Sequence, residues 1–258
     1  MIDYKSKSEI SIMYDGGRYL SEIANELKDM IEPGITTMYL DKKTRAIFEE
    51  KKVTPAFLNY GSPPFPATIC TSINDEIVHG IPSSDRILQN GDIISLDLGG
   101  IWKGFYTDMA FTVGVGMIGK NEEKLLGTTE NALETGITKM YTSNKLYDIS
   151  WAIQQVAESA GYSVVRDLVG HGIGRKLHES PNVPNYGEKS TGIKLEEGLT
   201  LALEPMLNAG TYKIRQKDDG WTIVTEDGRL SSHYENTIAI TKSGPKLLTS
   251  LDMNRFSE

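Results

Sequence analysis

The stretch G-D-I-I-S-L-D-L-G-G-I-W-K-G-F-Y-T-D-M-A-F-T-V, residues 91–113, reads as two strands joined by a glycine-containing turn. Ile94, Leu96 and Leu98 share one face at period two, which turns Ser95 and Asp97 to the other. In the second run Met109, Phe111 and Val113 share a face, and Tyr106, Asp108 and Ala110 take the opposite one. Each strand therefore sets one carboxylate inside an apolar run. Asp is depleted in strands and is seldom buried without a partner, so two of them on neighbouring strands call for neutralisation. A metal ion would supply it. For a single hairpin, a salt bridge, exposure to water or a place at a strand end would serve equally well.

A second pair of carboxylates shifts the balance toward a metal. T-L-A-L-E-P-M-L puts Leu201 and Leu203 on one face and Ala202 and Glu204 on the other, and in Y-E-N-T-I-A-I residues Tyr234, Ile238 and Ile240 alternate with Glu235, Thr237 and Ala239. Between the pairs lies G-H-G-I-G-R-K-L-H-E, where glycines on both sides of His171 free the backbone to bring an imidazole up to a centre. Two Asp, two Glu and one His form an oxygen-rich set that can hold two divalent ions if some carboxylates bridge. Such a set suits Mn, Fe(II), Co or Mg better than the sulfur-rich or His-rich surroundings that favour zinc.

With His79 in N-D-E-I-V-H-G-I-P and His178 in H-E-S-P, these five residues resemble the motif set of the type I methionine aminopeptidases, over nearly the whole chain and in spacing as well as residue type. The short stretch between His178 and Glu204 has no helical insertion of the type II kind, and a cysteine-rich N-terminal extension is absent, so the compact bacterial form is expected. The resemblance implies an α+β pita-bread fold, two pseudo-twofold related halves with antiparallel sheet and outer helices, and a single catalytic domain spanning 1–258. It also implies two divalent metal ions. Asp97 would hold one ion, Asp108 and Glu235 would bridge, and His171 and Glu204 would complete the other. Glu204 would take the proton of the attacking water, His178 would donate to the scissile carbonyl, and His79 would stand near the scissile nitrogen. Asn74 and Ser231 fall where family members build a monovalent-cation site, although both are also ordinary turn residues. The substrate implied is the N-terminal methionine of nascent polypeptides, met near the ribosome, with a small second residue.

The segment A-F-L-N-Y-G-S-P-P-F-P-A-T-I-C resembles the family's methionine-pocket segment and points to Tyr60, Phe65 and Cys70, joined by Trp221 from a distant strand. Aromatic core packing would account for any one of them as well. Phe57 stands where Cys is frequent in the family, Leu177 where Phe is, and the segment is about two residues longer, which leaves the shape of the pocket open. His233 lies two positions before Glu235 but outside the family's catalytic set, and is unassigned.

The remaining features fit this frame. Helical periodicity runs from about residue 8 to 31 (Ile10, Met13, Leu20, Ala24, Leu27, Ile31), and a second helix capped by Thr36 or Thr37 carries Leu40, Thr44 and Ile47. Two more helices follow the hairpin, one with Leu126, Thr129, Leu133 and Met140 in register and one with Ile149, Ile153, Val156 and Ala160. Ile31, Leu40 and Ile47 recur as Met140, Ile149 and Val156 at an offset of about 109 residues, so each half reads as two helices followed by strands with two carboxylates. The family usually has Pro-Gly where Ser143 and Asn144 stand. Asp227 and Gly228 mark a hairpin turn before the strand of Glu235, and Asp218–Gly220 and Pro63–Pro64 mark surface loops.

A length of 258 residues allows one or two cores, and 39% hydrophobic with 24% charged residues is ordinary for a globular chain. The net charge of −8 argues against nucleic acid as a partner. The first residues hold no signal-peptide core, no run approaches a membrane span of about 20 apolar residues, and the single cysteine, Cys70, cannot pair within the chain. A cytoplasmic monomer is expected, with Cys70 most simply an apolar filler. A peptidase of the same fold that cuts before proline, and a binding protein that has lost catalysis, are the alternatives. The Trp221 pocket and compact length argue against the first, and the complete ligand set against the second.

Overall fold

A computed structural model describes residues 2–254. The first half of the chain runs α1 (Lys7–Lys28), α2 (Thr37–Lys51), β1 (Thr54–Pro55), β2 (Cys70–Ile73), β3 (Glu76–Val78), β4 (Ile93–Trp102) and β5 (Phe105–Gly114). The second runs α3 (Lys120–Ile137), α4 (Leu146–Ser159), β6 (Ser163–Val164), β7 (Gly170–Gly172), β8 (Glu179–Val183) and β9 (Thr200–Leu203). It continues through β10 (Met206–Asn208), β11 (Ile214–Gln216), β12 (Ile223–Thr225), β13 (Ser231–His233), β14 (Glu235–Thr241) and β15 (Gly244–Leu247).

The hairpin read from residues 91–113 is β4–β5, paired antiparallel from Ile93↔Gly114 to Trp102↔Phe105. Lys103 (φ 48°) and Gly104 (φ 82°) turn it, both left-handed as a two-residue primed turn requires. Ile94, Leu96, Leu98, Met109 and Phe111 pack on one face against α1 and α2, where Leu20, Ile23, Leu27, Leu40 and Phe48 are buried. The second half repeats the plan, with Leu201, Leu203, Ile238 and Ile240 packing against Leu133, Ile137, Ile149 and Ile153 of α3 and α4. Even the helix entries correspond: Thr36 and Lys145, the N-caps of α2 and α4, each make an isolated antiparallel bridge, to Ile87 and to Lys194. The offset between those caps is the one read from the sequence. The two helix-and-hairpin units join where β14 pairs with β5, Glu235 opposite Ala110, to give one antiparallel sheet in the order β1-β4-β5-β14-β9-β7-β8, with β2 added to β4 and β15 to β14. This is the pita-bread arrangement, with helices outside the curved sheet and its inner face free for a site.

Local chemistry fixes the helix ends. Ser6 and Glu9 form a capping box on α1, with the Ser6 N–H donating to Glu9 Oε2 at 2.8 Å. The entry to α4 lacks the Pro-Gly turn common in the family. Instead Asn144 donates from Nδ2 to the carbonyl of Lys139 at 2.8 Å, while the Lys145 N–H donates to Asp148 Oδ2 at 2.8 Å. The side-chain amide thus reinforces a backbone turn in which the Asn144 N–H donates to the Tyr141 carbonyl at 2.9 Å.

Four expectations need correction. Helix α1 stops at Lys28, so Ile31 lies in the connection, because two turn residues precede Glu32–Pro33. Met140 is buried beyond the end of α3, and Leu125 rather than Leu126 is its fully buried first leucine. In α4 Ala157 is buried and Val156 and Ala160 only half-buried. Asp227 and Gly228 do form a tight turn, but its flanks diverge: β12 pairs with β11 and β3, and β13 pairs with β10, whose other neighbour is β6. The hairpin in this region is β11–β12, closed by the exposed Asp218–Gly220 loop.

Candidate active site

Five strands adjacent in the sheet, β4, β5, β14, β9 and β7, each bring one polar side chain to a common place. Asp97 comes from β4, Asp108 from β5, Glu235 from β14 and His171 from β7, and Glu204 follows directly on β9. Register explains the convergence: Asp97 and Glu235 both lie opposite Ala110, Gly99 opposite Asp108, and His171 opposite Ala202. The alternation of β4 and β5, apolar toward the helices and carboxylate toward the interior, is the period-two pattern of the sequence turned into geometry.

One ligand atom each from Asp108, His171 and Glu235 lie within 4.8 Å of one another. Glu204 Oε1 stands 3.5 Å from His171 Nε2, and Asp97 lies opposite Cys70 in the β2–β4 pairing and lines the same cavity as Asp108. His171 Nδ1 lies 2.9 Å from the carbonyl of Gly172. An N–H donated there leaves the Nε2 lone pair facing the carboxylates, as a metal ligand requires.

The charges in this cluster do not balance. Burial, before all else, raises the pKa of Asp97 to about 7. It raises Asp108, Glu204 and Glu235 well above the carboxylate range, with the neighbouring carboxylates as the second cause. Asp97 Oδ1 and Glu235 Oε1 are buried with no hydrogen-bond partner among the described residues. Native interiors rarely leave such oxygens unpaired. The donor set, hard oxygens with one oriented imidazole, fits divalent cations.

These residues line a cavity of about 130 Å³. Its other wall is apolar, built from Phe57, Tyr60, Phe65, Cys70, Leu177 and Trp221. Phe57 and Leu177, the two departures from the family pattern, both face this space. Phe57 is seated against Gly99, where a Cβ would fall 2.7 Å from its ring. Trp221 meets Phe65 edge-on at 5.2 Å and His79 edge-on at 5.8 Å. Gly61 (φ 79°) lies so close to Trp221 that a Cβ there would fall 2.6 Å from the indole, so this glycine is required both for its backbone and for its lack of a side chain.

Two more histidines border the cavity. His178 sits at the exposed rim, its ring 4.3 Å from that of His171 and its Nδ1 2.6 Å from the Tyr60 hydroxyl. Burial of its inner side lowers its pKa. His79 has its pKa lowered to about 4 by burial first and by His178 second, against a hydrogen bond to the Trp221 backbone. Both rings are neutral near pH 7. Asn74 and Ser231 meet elsewhere: the Ser231 N–H donates to the Asn74 carbonyl at 2.8 Å, and their side chains bond to Asp92, Ile93, Leu207 and Asn208. Sequence reasoning passed over the Gly172 carbonyl that orients His171, and the tie between Tyr60 and His178, since neither has a local signal.

The sequence model of metallopeptidase family M24 matches residues 11–242. The chain belongs to that family. Among curated M24 relatives, the methionine aminopeptidase of Clostridium perfringens is 49% identical over 96% of this chain and 99% of its own. Methionine aminopeptidase 1 of Bacillus subtilis is 43% identical over 96% and 99%. The crystal structure of methionine aminopeptidase from Thermotoga maritima superposes with a TM-score of 0.94 at 40% identity, covering 97% of this chain and 100% of that one. The prolidase from Pyrococcus horikoshii shares the M24 fold, with a TM-score of 0.77 at 20% identity over 96% of this chain and 64% of that one.

Proposed function

We propose that this chain is a metal-dependent aminopeptidase that removes the initiator methionine from nascent polypeptides whose second residue is small. The observation that carries the reading is the juxtaposition in one cavity of four carboxylates, two with a buried oxygen that lacks a partner among the described residues, and an oriented imidazole with an apolar, aromatic slot. Full-length similarity to proteins named methionine aminopeptidase supports it.

Asp97, Asp108, His171, Glu204 and Glu235 would hold two divalent ions, of manganese, cobalt or iron(II), with Asp108 and Glu235 shared between them. When bound, such ions supply a Lewis acid for the scissile carbonyl and make water nucleophilic near neutral pH. Glu204 receives a proton from the attacking water and returns it to the leaving amine. With the Tyr60 hydroxyl held at Nδ1, neutral His178 presents Nε2–H to the scissile carbonyl and to the negative charge that develops on it. His79, edge-on to the Trp221 indole at 5.8 Å, stands by the scissile nitrogen. Phe57, Phe65, Cys70, Leu177 and Trp221 enclose the methionine side chain, a flexible apolar group that such a slot suits.

The single unit 1–258 works as a monomer in the cytoplasm, meeting its substrate near the ribosome. The net charge of −8 supports independence from nucleic acid. The contact of Asn74 with Ser231 supports a monovalent cation beside them. The test is release of free methionine from Met-Ala-Ser and Met-Lys-Ser by protein stripped of metal and reloaded with Mn, with a Gly-Pro peptide alongside. Fast cleavage of Met-Ala-Ser alone is expected. Cleavage of the proline peptide instead would move the chain to the prolidase-like branch, and silence on all three would end the enzymatic reading.

A further inference from the structure

His233 is buried, and both its ring nitrogens lack a hydrogen-bond partner among the described residues. Its main chain is fixed twice by one hydroxyl: its N–H donates to Thr112 Oγ1 at 3.0 Å and its carbonyl accepts from the same oxygen at 2.8 Å. Tyr234 turns the other way and donates from Oη to the Thr112 carbonyl at 2.7 Å, so residues 233 and 235 project to the same side, as alternate residues of an extended chain do. His233 Nε2 thereby comes to 3.8 Å from Glu235 Oε2, while Glu235 Oε1 is itself buried without a partner. Two hydrogen bonds of about 2.8 Å in series through a water need a wider gap than this, so the pair can close only directly, by a small rotation of either side chain.

We propose that His233 is a positioning residue: it donates Nε2–H to Glu235 Oε2 and so sets the direction in which that carboxylate faces the divalent ions. The inference rests on the metal-dependent reading above. A neutral imidazole has one N–H, so donation from Nε2 selects the tautomer and leaves Nδ1 unprotonated. Partners of this kind, behind a ligand rather than in its place, hold it in orientation and raise metal affinity.

The experiment is a calorimetric Mn(II) titration of the stripped protein, alongside its melting temperature without metal, for the wild type, His233→Gln and His233→Leu. Leucine should weaken Mn binding by about 10–100-fold while leaving the metal-free melting temperature unchanged or higher, because the two ring nitrogens it removes are buried without partners in the metal-free fold. Glutamine, whose amide can donate in the same direction, should bind Mn close to the wild type. Wild-type affinity in His233→Leu would overturn the proposal. So would equal losses in both variants, or a loss in His233→Leu matched by a lower metal-free melting temperature, which marks a merely structural role. A wild type that binds no Mn would sink the metal reading itself and this proposal with it.

Discussion

Chelation should turn the carboxylate cluster into a source of instability that grows with pH. Asp97, ordinarily near 3.8, is raised to about 7 by burial. At ~1.4 kcal/mol per tenfold change in acidity, that rise means about 4 kcal/mol against its ionised form in the metal-free fold. Asp108, Glu204 and Glu235 are also raised well above the usual carboxylate range, by burial first and by neighbouring carboxylates second. A carboxylate with a raised pKa binds more protons folded than unfolded, so its stabilising contribution is present at low pH and is lost as pH rises through the folded value. The buried histidines act oppositely, but their folded values lie near 4 for His79 and His171 and near 3 for His233, against 6.5. Above about pH 7 they are neutral both folded and unfolded, and drop out. The metal-free protein should therefore lose ~1.4 kcal/mol per pH unit for each carboxylate still protonated, a fall of about 2–4 °C in melting temperature per unit and per group between pH 7 and 8.5. With saturating Mn the carboxylates are ionised and neutralised together, so the melting temperature should be nearly flat over the same range. Thermal unfolding at a series of pH values, with chelator and with Mn, measures this. Parallel curves with and without metal would refute the reasoning, since they would mean that these carboxylates are already charged and compensated without an ion.

Asp108→Asn should nearly abolish methionine release while raising the metal-free melting temperature, because it removes one of four mutually repelling carboxylates; activity assays and calorimetry check the two signs. Asp41 accepts from the Thr68 N–H at 2.6 Å and from the Ile69 N–H at 3.3 Å in the interior, so Asp41→Ala leaves both unpaired and should destabilise the protein by about 2–4 kcal/mol in urea titration. Gly61→Ala places a methyl 2.6 Å from the Trp221 ring at a left-handed φ, and should raise KM for Met-Ala-Ser more than it lowers kcat.

The sequence made the site legible because its signals are local. Period two in β4 and β5 sorted Asp97 and Asp108 from the leucines around them, and the same alternation picked out Glu204 and Glu235. The helix pairs were legible for a similar reason, and their common offset survives in the matched bridges at Thr36 and Lys145. What failed to read through depends on partners far along the chain. Asp227–Gly228 has every mark of a hairpin turn, yet β12 and β13 find β3 and β10 instead, and no local pattern records which strand another will choose. His233 reads locally as any lone histidine, and its place beside Glu235 is set by Thr112, 121 residues away, which holds its backbone. The apolar wall also drew on distant segments, so Phe57 and Leu177 read as departures in isolation and as neighbours in space.

The strand order has a consequence for how the protein is made. Glu235 belongs to β14, which lies between β5 of the first half and β9 of the second. It is the last of the five to be synthesised, and the strand that carries it closes the sheet. The earlier four lie on either side of it, Asp97 and Asp108 on β4 and β5, His171 on β7 and Glu204 at the end of β9. Full metal loading therefore reports that the two halves have met, and a chain stalled before β14 would lack both the seam and the ion that rewards forming it.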